Sequence, residues 1–188
     1  MKYDIILCGV GGQGVLSVAA AIAGAAASQG LQVRQSEVHG MAQRGGAVMS
    51  HLRIADAAIP GDLVPKGGAD MILSMEPLEA LRYTAYLKME GMCVTASAPF
   101  ENIPNYPDLE DVHSRVGRLP NARLVDAKAL AKEAGNLRAV NMVMVGAASP
   151  HLPIPQDVIE KAITGLFSRK GDSVVESNIT AFRAGRGI

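Results

Sequence analysis

Apolar and polar residues at the start of the chain follow a strand–helix–strand pattern. Tyr3 to Cys8 is a short apolar run that stops at a glycine cluster, which predicts a buried strand. Residues 16–29 are strong helix formers, and Gly30 is placed to end that helix. Residues 31–36 then alternate apolar and polar side chains, as a second strand does. A unit this short indicates a right-handed parallel crossover.

Further strand and helix patterns fill the rest of the chain, with no internal repeat or interdomain linker. Apolar or alternating runs predict strands at 47–54, 69–74, 92–96 and 122–125. Helices are predicted from Pro77 to about residue 87, from the capping residue Asp126 to Gly135, and from Pro155 onward, where the apolar positions form one stripe.

Two segments are harder to assign. Residues 139–148 are ambiguous between helix and strand by propensity alone. Residues 99–120 contain four prolines, several acids and few apolar side chains, so we expect a surface excursion there. Taken together, the patterns predict an α/β fold: a single Rossmann-like three-layer domain over residues 1–188, with a mostly parallel sheet.

Composition and charge exclude several classes of protein. Hydrophobic residues make up 48% and charged residues 19%, which is typical of a globular chain. The 18 basic and 18 acidic residues cancel, and no dense basic run occurs, so we expect no binding of nucleic acid. The Ala-rich stretch 15–27 is shorter than the roughly 20 residues that span a bilayer. Asp4 and Gln13 interrupt the apolar segment near the start of the chain, which is continuous in a signal peptide. We therefore expect no membrane segment and a cytoplasmic location.

Cysteine and histidine usage limits the chemistry that this chain can carry. Cys8 and Cys93 are the two cysteines, and both lie in apolar strand-like runs. Two thiols cannot supply the four ligands of an iron–sulfur cluster, so a redox centre would have to lie on another chain. We expect both thiols to be reduced, although a Cys8–Cys93 disulfide is an open alternative. No zinc-ligand spacing and no nucleophile–base pair are evident, so we assign no metal site and no catalytic residue to this chain.

A glycine-rich turn is the first candidate site. Gly9, Gly11 and Gly14 follow the dinucleotide-binding spacing between a predicted strand and a predicted helix. Glycines permit positive φ and close backbone approach, and a helix start offers amide groups to an anion. Glu37 lies at a plausible distance along the chain to bind a ribose. Alternatively, the glycines serve only to pack the helix tightly against the sheet.

The second candidate site is the irregular stretch that follows, residues 37–46. Loops rich in chemically active side chains and glycines are costly to order, so a loop of this composition favours a function. Arg44, next to Gly45 and Gly46, is suited to grip a carboxylate or phosphate. A charged turn with glycines at positive φ is the plainer interpretation. The residues that we assign to a cofactor-binding or shared site are Gly9, Gly11, Gly12, Gln13, Gly14, Glu37, His39, Gln43, Arg44, Gly45 and Gly46.

These two segments together resemble a known family. The sequence Gly-Val-Gly-Gly-Gln-Gly-Val at 9–15, followed by Ser-Glu-Val-His-Gly-Met-Ala-Gln-Arg-Gly-Gly at 36–46, is similar to the gamma-type domain of 2-oxoacid:ferredoxin oxidoreductases. The second motif is most similar to the indolepyruvate type of that family. Residues 50–53, 141–147, Asn178 and 181–185 extend the resemblance over essentially the full chain.

The resemblance implies a role as the small subunit of a larger enzyme. Such enzymes decarboxylate a 2-oxoacid, transfer the acyl group to coenzyme A and reduce ferredoxin. It implies that a large alpha subunit carries thiamine diphosphate, Mg²⁺ and the 4Fe–4S clusters, and that this chain carries no cofactor and is inactive alone. It also favours a helix at 139–148. Two other interpretations stay open: a free-standing NAD- or FAD-binding oxidoreductase, and a structural partner whose glycine turn only packs.

Overall fold

The computed structural model describes residues 1–39 and 45–188, apart from the side chains of Val38 and His39. Its strands are β1 (Lys2–Val10), β2 (Gln32–His39), β3 (Ala47–Ala55), β4 (Ala69–Ser74), β5 (Leu87–Ala96) and β6 (Ala122–Val125). Its α-helices are α1 (Val15–Ser28), α2 (Pro77–Arg82), α3 (Leu109–Gly117), α4 (Ala127–Glu133), α5 (Val140–Ala148), α6 (Gln156–Phe167) and α7 (Asp172–Arg186). In this part of the chain, no helix is both long and apolar enough to cross a membrane.

The strands form one sheet in the order β2-β3-β1-β4-β5-β6. The pairs β1–β4, β4–β5 and β5–β6 are parallel, which confirms the mostly parallel sheet. Strands β1 and β2 run parallel to each other, as the predicted crossover requires, but they are not neighbours, because β3 lies between them and is antiparallel to both. Strand β3 is buried at every position from Ser50 to Ala55. A strand buried on both faces needs a neighbour on each side, whereas the polar, exposed β2 suits an edge.

Helices and loops cover the sheet on both faces, so the three layers are as predicted. Ile5 and Leu7 of β1 point into the larger hydrophobic cluster, which α1, α5, α6 and α7 share. Ile6 and Cys8 point to the opposite face and into a smaller cluster, which includes Ala80 of α2. Successive strand residues face opposite sides of a sheet, and this alternation divides β1 between two cores.

Helices α5 and α7 approach each other through glycine. A Cβ atom placed on Gly146 would lie 2.0 Å from the carbonyl oxygen of Phe182, and one on Gly185 would lie 2.0 Å from that of Val143. The two backbones are therefore in direct contact, as small residues permit. Helix α5 is buried from Met142 to Ala148, and its presence confirms the helix that the resemblance favours at 139–148.

Buried polar residues tie a loop to the second face of the sheet. The Arg53 guanidinium bonds to the Asp4 carboxylate at 3.0 Å and to the carbonyl oxygens of Gly61 and Leu63 at 3.0 and 3.1 Å. His51 Nδ1 accepts a hydrogen bond from the Val64 amide at 3.1 Å. Burial, followed by the charge of Arg53, lowers the pKa of His51, which suits this acceptor role. These side chains hold the chain around residues 61–64 against the sheet.

The structure differs from the predicted elements in two regions. The segment expected to be a surface excursion contains α3, which Asp108 caps by accepting hydrogen bonds from the amides of Glu110 and Asp111. Its two buried residues, Val112 and Val116, are one turn apart and give too weak a periodicity to recognise. The helix from Pro77 ends at Arg82, and β5 begins at Leu87 instead of residue 92. Helix α7 was not predicted.

Substitution of Gly146 tests the contact between α5 and α7. We expect Gly146→Ala to lower the free energy of unfolding by about 1–3 kcal/mol, because the added methyl group has no space against the Phe182 carbonyl. Gly165→Ala is the matched control, since nothing lies within 4 Å of its added Cβ in the exposed part of α6. That control should be more stable by about 0.5–1 kcal/mol, from helix propensity alone. Urea denaturation measures both, and equal stability of the two variants would contradict the close contact.

Candidate functional site

The glycine turn lies at the carboxyl edge of the parallel strands, between β1 and α1. Gly14 is the N-cap of α1 in the left-handed conformation, with φ 78°, and Gly12 has φ 102°. Both angles favour glycine, because a Cβ atom is strained there. The Gly14 carbonyl accepts from the Ser17 amide at 2.9 Å, which starts the helix. The turn, Leu16 and Val48 line a cavity of about 270 Å³. The turn is thus an accessible helix start of the kind that binds anions.

Gln13 holds this turn against the neighbouring strand. Its Oε1 accepts a hydrogen bond from the Val10 amide at 2.8 Å, and its Nε2 donates to the Met75 carbonyl at 3.0 Å. A Cβ atom on Gly9 would lie 2.9 Å from Gln13 Oε1 and 3.0 Å from Met75 Cβ, so Gly9 leaves the room that this side chain occupies. Gln13 therefore positions the site through bonds within the chain.

The structure brings Gly45 and Gly46 directly against the turn. The Gly11 amide donates to the Gly46 carbonyl at 2.8 Å, and the Gly45 amide donates to the Gly11 carbonyl at 3.2 Å. Gly45 has φ 77°, where glycine is favoured. Two segments that are more than thirty residues apart in sequence thus form one local surface.

The other site residues from the second motif lie on β2 or outside the described residues. Glu37 is half-buried and accepts from Gln35 Nε2 at 2.7 Å. His39 ends β2 opposite Val48. The side chain of His39, and all of Gln43 and Arg44, lie outside the residues that the structure describes, so their contacts stay predictions.

The position of β2 bears on the dinucleotide interpretation. In a dinucleotide-binding fold, the strand that carries the ribose-binding acid lies beside the strand that carries the glycine turn. Here β3 separates β2 from β1, which moves Glu37 about 5 Å further away across the sheet. The turn therefore keeps an anion-ready helix start but not the usual arrangement of a ribose site.

Two asparagines, neither of them among the predicted site residues, also hold the site. Asn141, in the first turn of α5, donates from Nδ2 to the Gly14 carbonyl at 3.2 Å. Asn102, on the loop after β5, donates from Nδ2 to the Gly45 carbonyl at 2.8 Å. The resemblance included Asn141 as part of a motif, whereas no sequence signal singled out Asn102. Their partners are 127 and 57 residues away in the chain, and local patterns do not reveal contacts of that range.

A second cavity, of about 280 Å³, lies on the other side of Gln13. Met75, Ala96, Phe100, Lys128 and Asn141 are among its walls. These residues follow or adjoin the carboxyl ends of β4, β5 and β6, where open α/β sheets bind ligands. Apart from the exposed Lys128 ammonium group, the lining is largely apolar.

One of two neighbouring buried carboxylates, Glu76, supports the loop that forms part of this cavity. Glu76 is the N-cap of α2, with Oε2 accepting from the Glu79 amide at 2.7 Å. Its Oε1 accepts from the Tyr106 hydroxyl and from the Phe100 amide, the latter at 3.4 Å. Glu76 thus caps the helix that the sequence predicts from Pro77. Burial raises the pKa of Glu79, against the lowering effect of Arg82, whose Nε lies 2.9 Å from Glu79 Oε1.

The arrangement is suited to binding and positioning. It combines an anion-ready helix start, a fixed glycine pair and a largely apolar cavity at one edge of the sheet. Within residues 1–39 and 45–188, no three His, Cys, Asp or Glu side chains are grouped so as to hold a metal ion. Cys8 and Cys93 are buried free thiols, and burial raises the pKa of both.

Removal of the Gln13 amide tests its role in holding the turn. Gln13→Ala leaves the buried Val10 amide and Met75 carbonyl without these partners, so we expect a loss of about 1–3 kcal/mol in the free energy of unfolding. Gln32→Ala, at an exposed position on the edge strand β2, is the matched control and should change stability by less than about 0.5 kcal/mol. Urea denaturation provides the comparison, and a Gln13 variant as stable as the control would remove the assigned role.

Comparison with known proteins places this geometry in a family. The family model "Pyruvate ferredoxin/flavodoxin oxidoreductase" matches residues 4–188. The chain is 39% identical to indolepyruvate oxidoreductase subunit IorB of Pyrococcus horikoshii, over 98% of this chain and 94% of that protein. It is 35% identical to subunit IorB of Methanothermobacter thermautotrophicus, over 100% and 97%. Its fold matches the solved gamma subunit of a keto/oxoacid ferredoxin oxidoreductase from Geobacter sulfurreducens with a TM-score of 0.70 and 28% identity, over 98% and 96% of the two chains. The chain therefore belongs to the pyruvate ferredoxin/flavodoxin oxidoreductase family.

Proposed function

We propose that this chain is the small subunit of an indolepyruvate-type 2-oxoacid:ferredoxin oxidoreductase. The assembled enzyme oxidatively decarboxylates an arylpyruvate to an acyl-coenzyme A and reduces ferredoxin. The observation that carries the proposal is the 39% identity to an indolepyruvate oxidoreductase subunit over nearly the whole of both chains. The joined surface of the 9–14 turn and Gly45–Gly46 supports it, because the two most specific sequence motifs meet there.

A large alpha subunit in the cytoplasm would carry thiamine diphosphate, Mg²⁺ and the 4Fe–4S clusters in this proposal. The residues described here do not fit a cluster site, because Cys8 and Cys93 are fully buried and burial favours their protonated thiols. A cluster requires accessible thiolates. When bound to the partner, thiamine diphosphate would supply the carbanion chemistry, and the clusters would pass electrons to ferredoxin.

This chain would bind and orient an anionic group of a reactant without supplying covalent chemistry. The glycine turn presents backbone amides at the start of α1, where the helix dipole favours negative charge. Arg44, in the adjoining motif, would add a planar guanidinium that can grip a carboxylate or phosphate with two parallel hydrogen bonds. The group held there would be the carboxylate of the 2-oxoacid or a phosphate of coenzyme A. Fixed donors stabilise charge without reorganising during the reaction.

Two rival functions predict different outcomes. A free-standing NAD- or FAD-binding oxidoreductase would bind nucleotide at micromolar concentration as an isolated chain, which calorimetry measures. The position of β3 between β1 and β2 argues against that function. A purely structural partner is favoured by one observation, that both polar atoms of Gln13 already bond within the chain. In that case, substitutions at Gly12 that spare folding would leave the assembled enzyme fully active.

Co-expression with a large thiamine- and cluster-containing chain tests the proposal directly. We expect the two chains to co-purify and to reduce ferredoxin in the presence of an arylpyruvate and coenzyme A, while neither chain does so alone. Pyruvate and 2-oxoglutarate serve as comparison substrates for the 2-oxoacid. A complex that forms but leaves ferredoxin oxidised with every 2-oxoacid would contradict the proposed activity.

Substitution of Arg44 tests the proposed anion grip. We expect Arg44→Ala to lower kcat/KM of the assembled enzyme at least about tenfold, because a charge-assisted bidentate contact is lost. Arg34→Ala is the control, since Arg34 is exposed on β2 and its ion pair with Asp62 spans 3.6 Å at the surface. The melting temperature of both isolated variants should match that of the unsubstituted subunit. Unchanged kinetics in the Arg44 variant would remove Arg44 from the site.

A further inference from the structure

The loop that follows β5 is anchored on a buried carboxylate. Glu76, which is 1% exposed, accepts hydrogen bonds from the Phe100 amide and the Tyr106 hydroxyl through the same oxygen. We call residues 99–106 the anchored loop. The Glu76 carboxylate is itself fixed, because its other oxygen caps α2. One rigid group therefore holds the loop near both of its ends.

The anchored loop reaches the candidate site through one side chain. Asn102 lies between the two anchor points and donates from Nδ2 to the Gly45 carbonyl at 2.8 Å. Gly45 is bonded in turn to Gly11 of the glycine turn through its amide. Hydrogen bonds at the two ends of the anchored loop and at Asn102, together with the backbone of that loop, thus connect Glu76 to Gly45 and the turn.

We propose that Asn102 is a positioning residue for the reaction of the assembled enzyme, acting through Gly45. This inference rests on the proposed function for its kinetic part and on the geometry alone for its structural part. Glycine has more backbone freedom than any other residue type. The two backbone hydrogen bonds to Gly11 therefore fix Gly45 and Gly46 only weakly. The Asn102 contact adds a third bond from an independently fixed element, and it fixes the Gly45 carbonyl beside the glycine turn.

The consequence for binding concerns an anionic group. The surface that Asn102 fixes is the one proposed to hold the 2-oxoacid carboxylate or a coenzyme A phosphate, which share their chemistry as oxyanions. Preorganised donors bind more tightly than donors that must be ordered on binding. Loss of the Asn102 contact should therefore weaken binding of whichever oxyanion lies there, without affecting ferredoxin, which in the proposed function receives electrons from clusters on the partner subunit.

Hydrogen exchange of the full-length subunit tests the structural part. We expect Asn102→Ala and the near-isosteric Asn102→Asp, which lacks the donor, to exchange the Gly11 and Gly45 amides about fivefold faster than the unsubstituted chain. Asn105→Ala is the matched control, because Asn105 is an exposed asparagine of the same loop. Exchange across β1 and α1 should stay unchanged in all three variants, which shows that they fold. Unaltered exchange at Gly11 and Gly45 in both Asn102 variants would overturn the proposal.

Kinetics of the assembled complex tests the functional part. We expect Asn102→Ala to raise KM about fivefold for either the 2-oxoacid or coenzyme A. The reactant whose KM rises is the one whose oxyanion binds at this surface. KM for ferredoxin and all constants of Asn105→Ala should stay within twofold of the unsubstituted complex. If the KM values for the 2-oxoacid and for coenzyme A in an active Asn102 variant both equal those of the unsubstituted complex, the positioning role is refuted, even where hydrogen exchange is faster. An unsubstituted complex without activity would refute the proposed function instead, while the exchange result still decides the structural part.

Discussion

The side-chain amide of Gln13 joins the ends of β1 and β4, in addition to the backbone hydrogen bond that the Met75 amide donates to the Cys8 carbonyl at 2.9 Å. Strands β1 and β4 are adjacent and parallel, but the chain leaves them towards α1 on one face and α2 on the other. A crevice forms between loops that diverge in this way, and doubly wound folds bind ligands in it. Here Gln13 spans it, with one hydrogen bond to Val10 and one to Met75. Gln13 thus occupies this crevice, and the proposed anion-binding surface lies on the outer rim of the turn, beside Gly45 and Gly46.

The rim of the turn is ordered by contacts from three separate parts of the chain. Asn141 holds the Gly14 carbonyl from α5, Asn102 holds Gly45 from the anchored loop, and Gly11 pairs with Gly45 and Gly46. Glycines at positive φ make this geometry sterically possible, but they are also costly to order. The surrounding bonds offset that cost in the folded subunit. A surface ordered in advance suits a subunit that completes a site carried largely by its partner.

Local patterns were sufficient for most elements, because most strands of the sheet contain a short apolar run with a clear end. The strands at 69–74 and 122–125 were predicted to the residue, and β3 was one residue longer than predicted. The two glycine segments that meet in the structure, at 9–14 and 45–46, were recognisable in the sequence because their motifs are concentrated in short stretches of the chain. Asn102 escaped prediction because its partner is 57 residues away. The position of β3 between β1 and β2 was likewise not predicted, because strand order depends on how whole strands are buried and not on local patterns.

Glu76 and Glu79 show how this fold uses groups that in many enzymes perform acid–base chemistry. Both carboxylates are 1% exposed at the carboxyl end of β4, close to the predicted ligand-binding edge. Glu76 accepts three hydrogen bonds from the Glu79 amide, the Phe100 amide and the Tyr106 hydroxyl, so its oxygens are occupied by the protein itself. Glu79 bonds to Arg82, while burial raises its pKa. A carboxylate committed to a helix cap and a loop anchor, as that of Glu76 is, is poorly placed to exchange protons with a reactant, because a transfer would release the structure that it holds. Gln13 is likewise committed to hydrogen bonds within the chain, and these contacts support the proposed role of this chain in positioning a reactant.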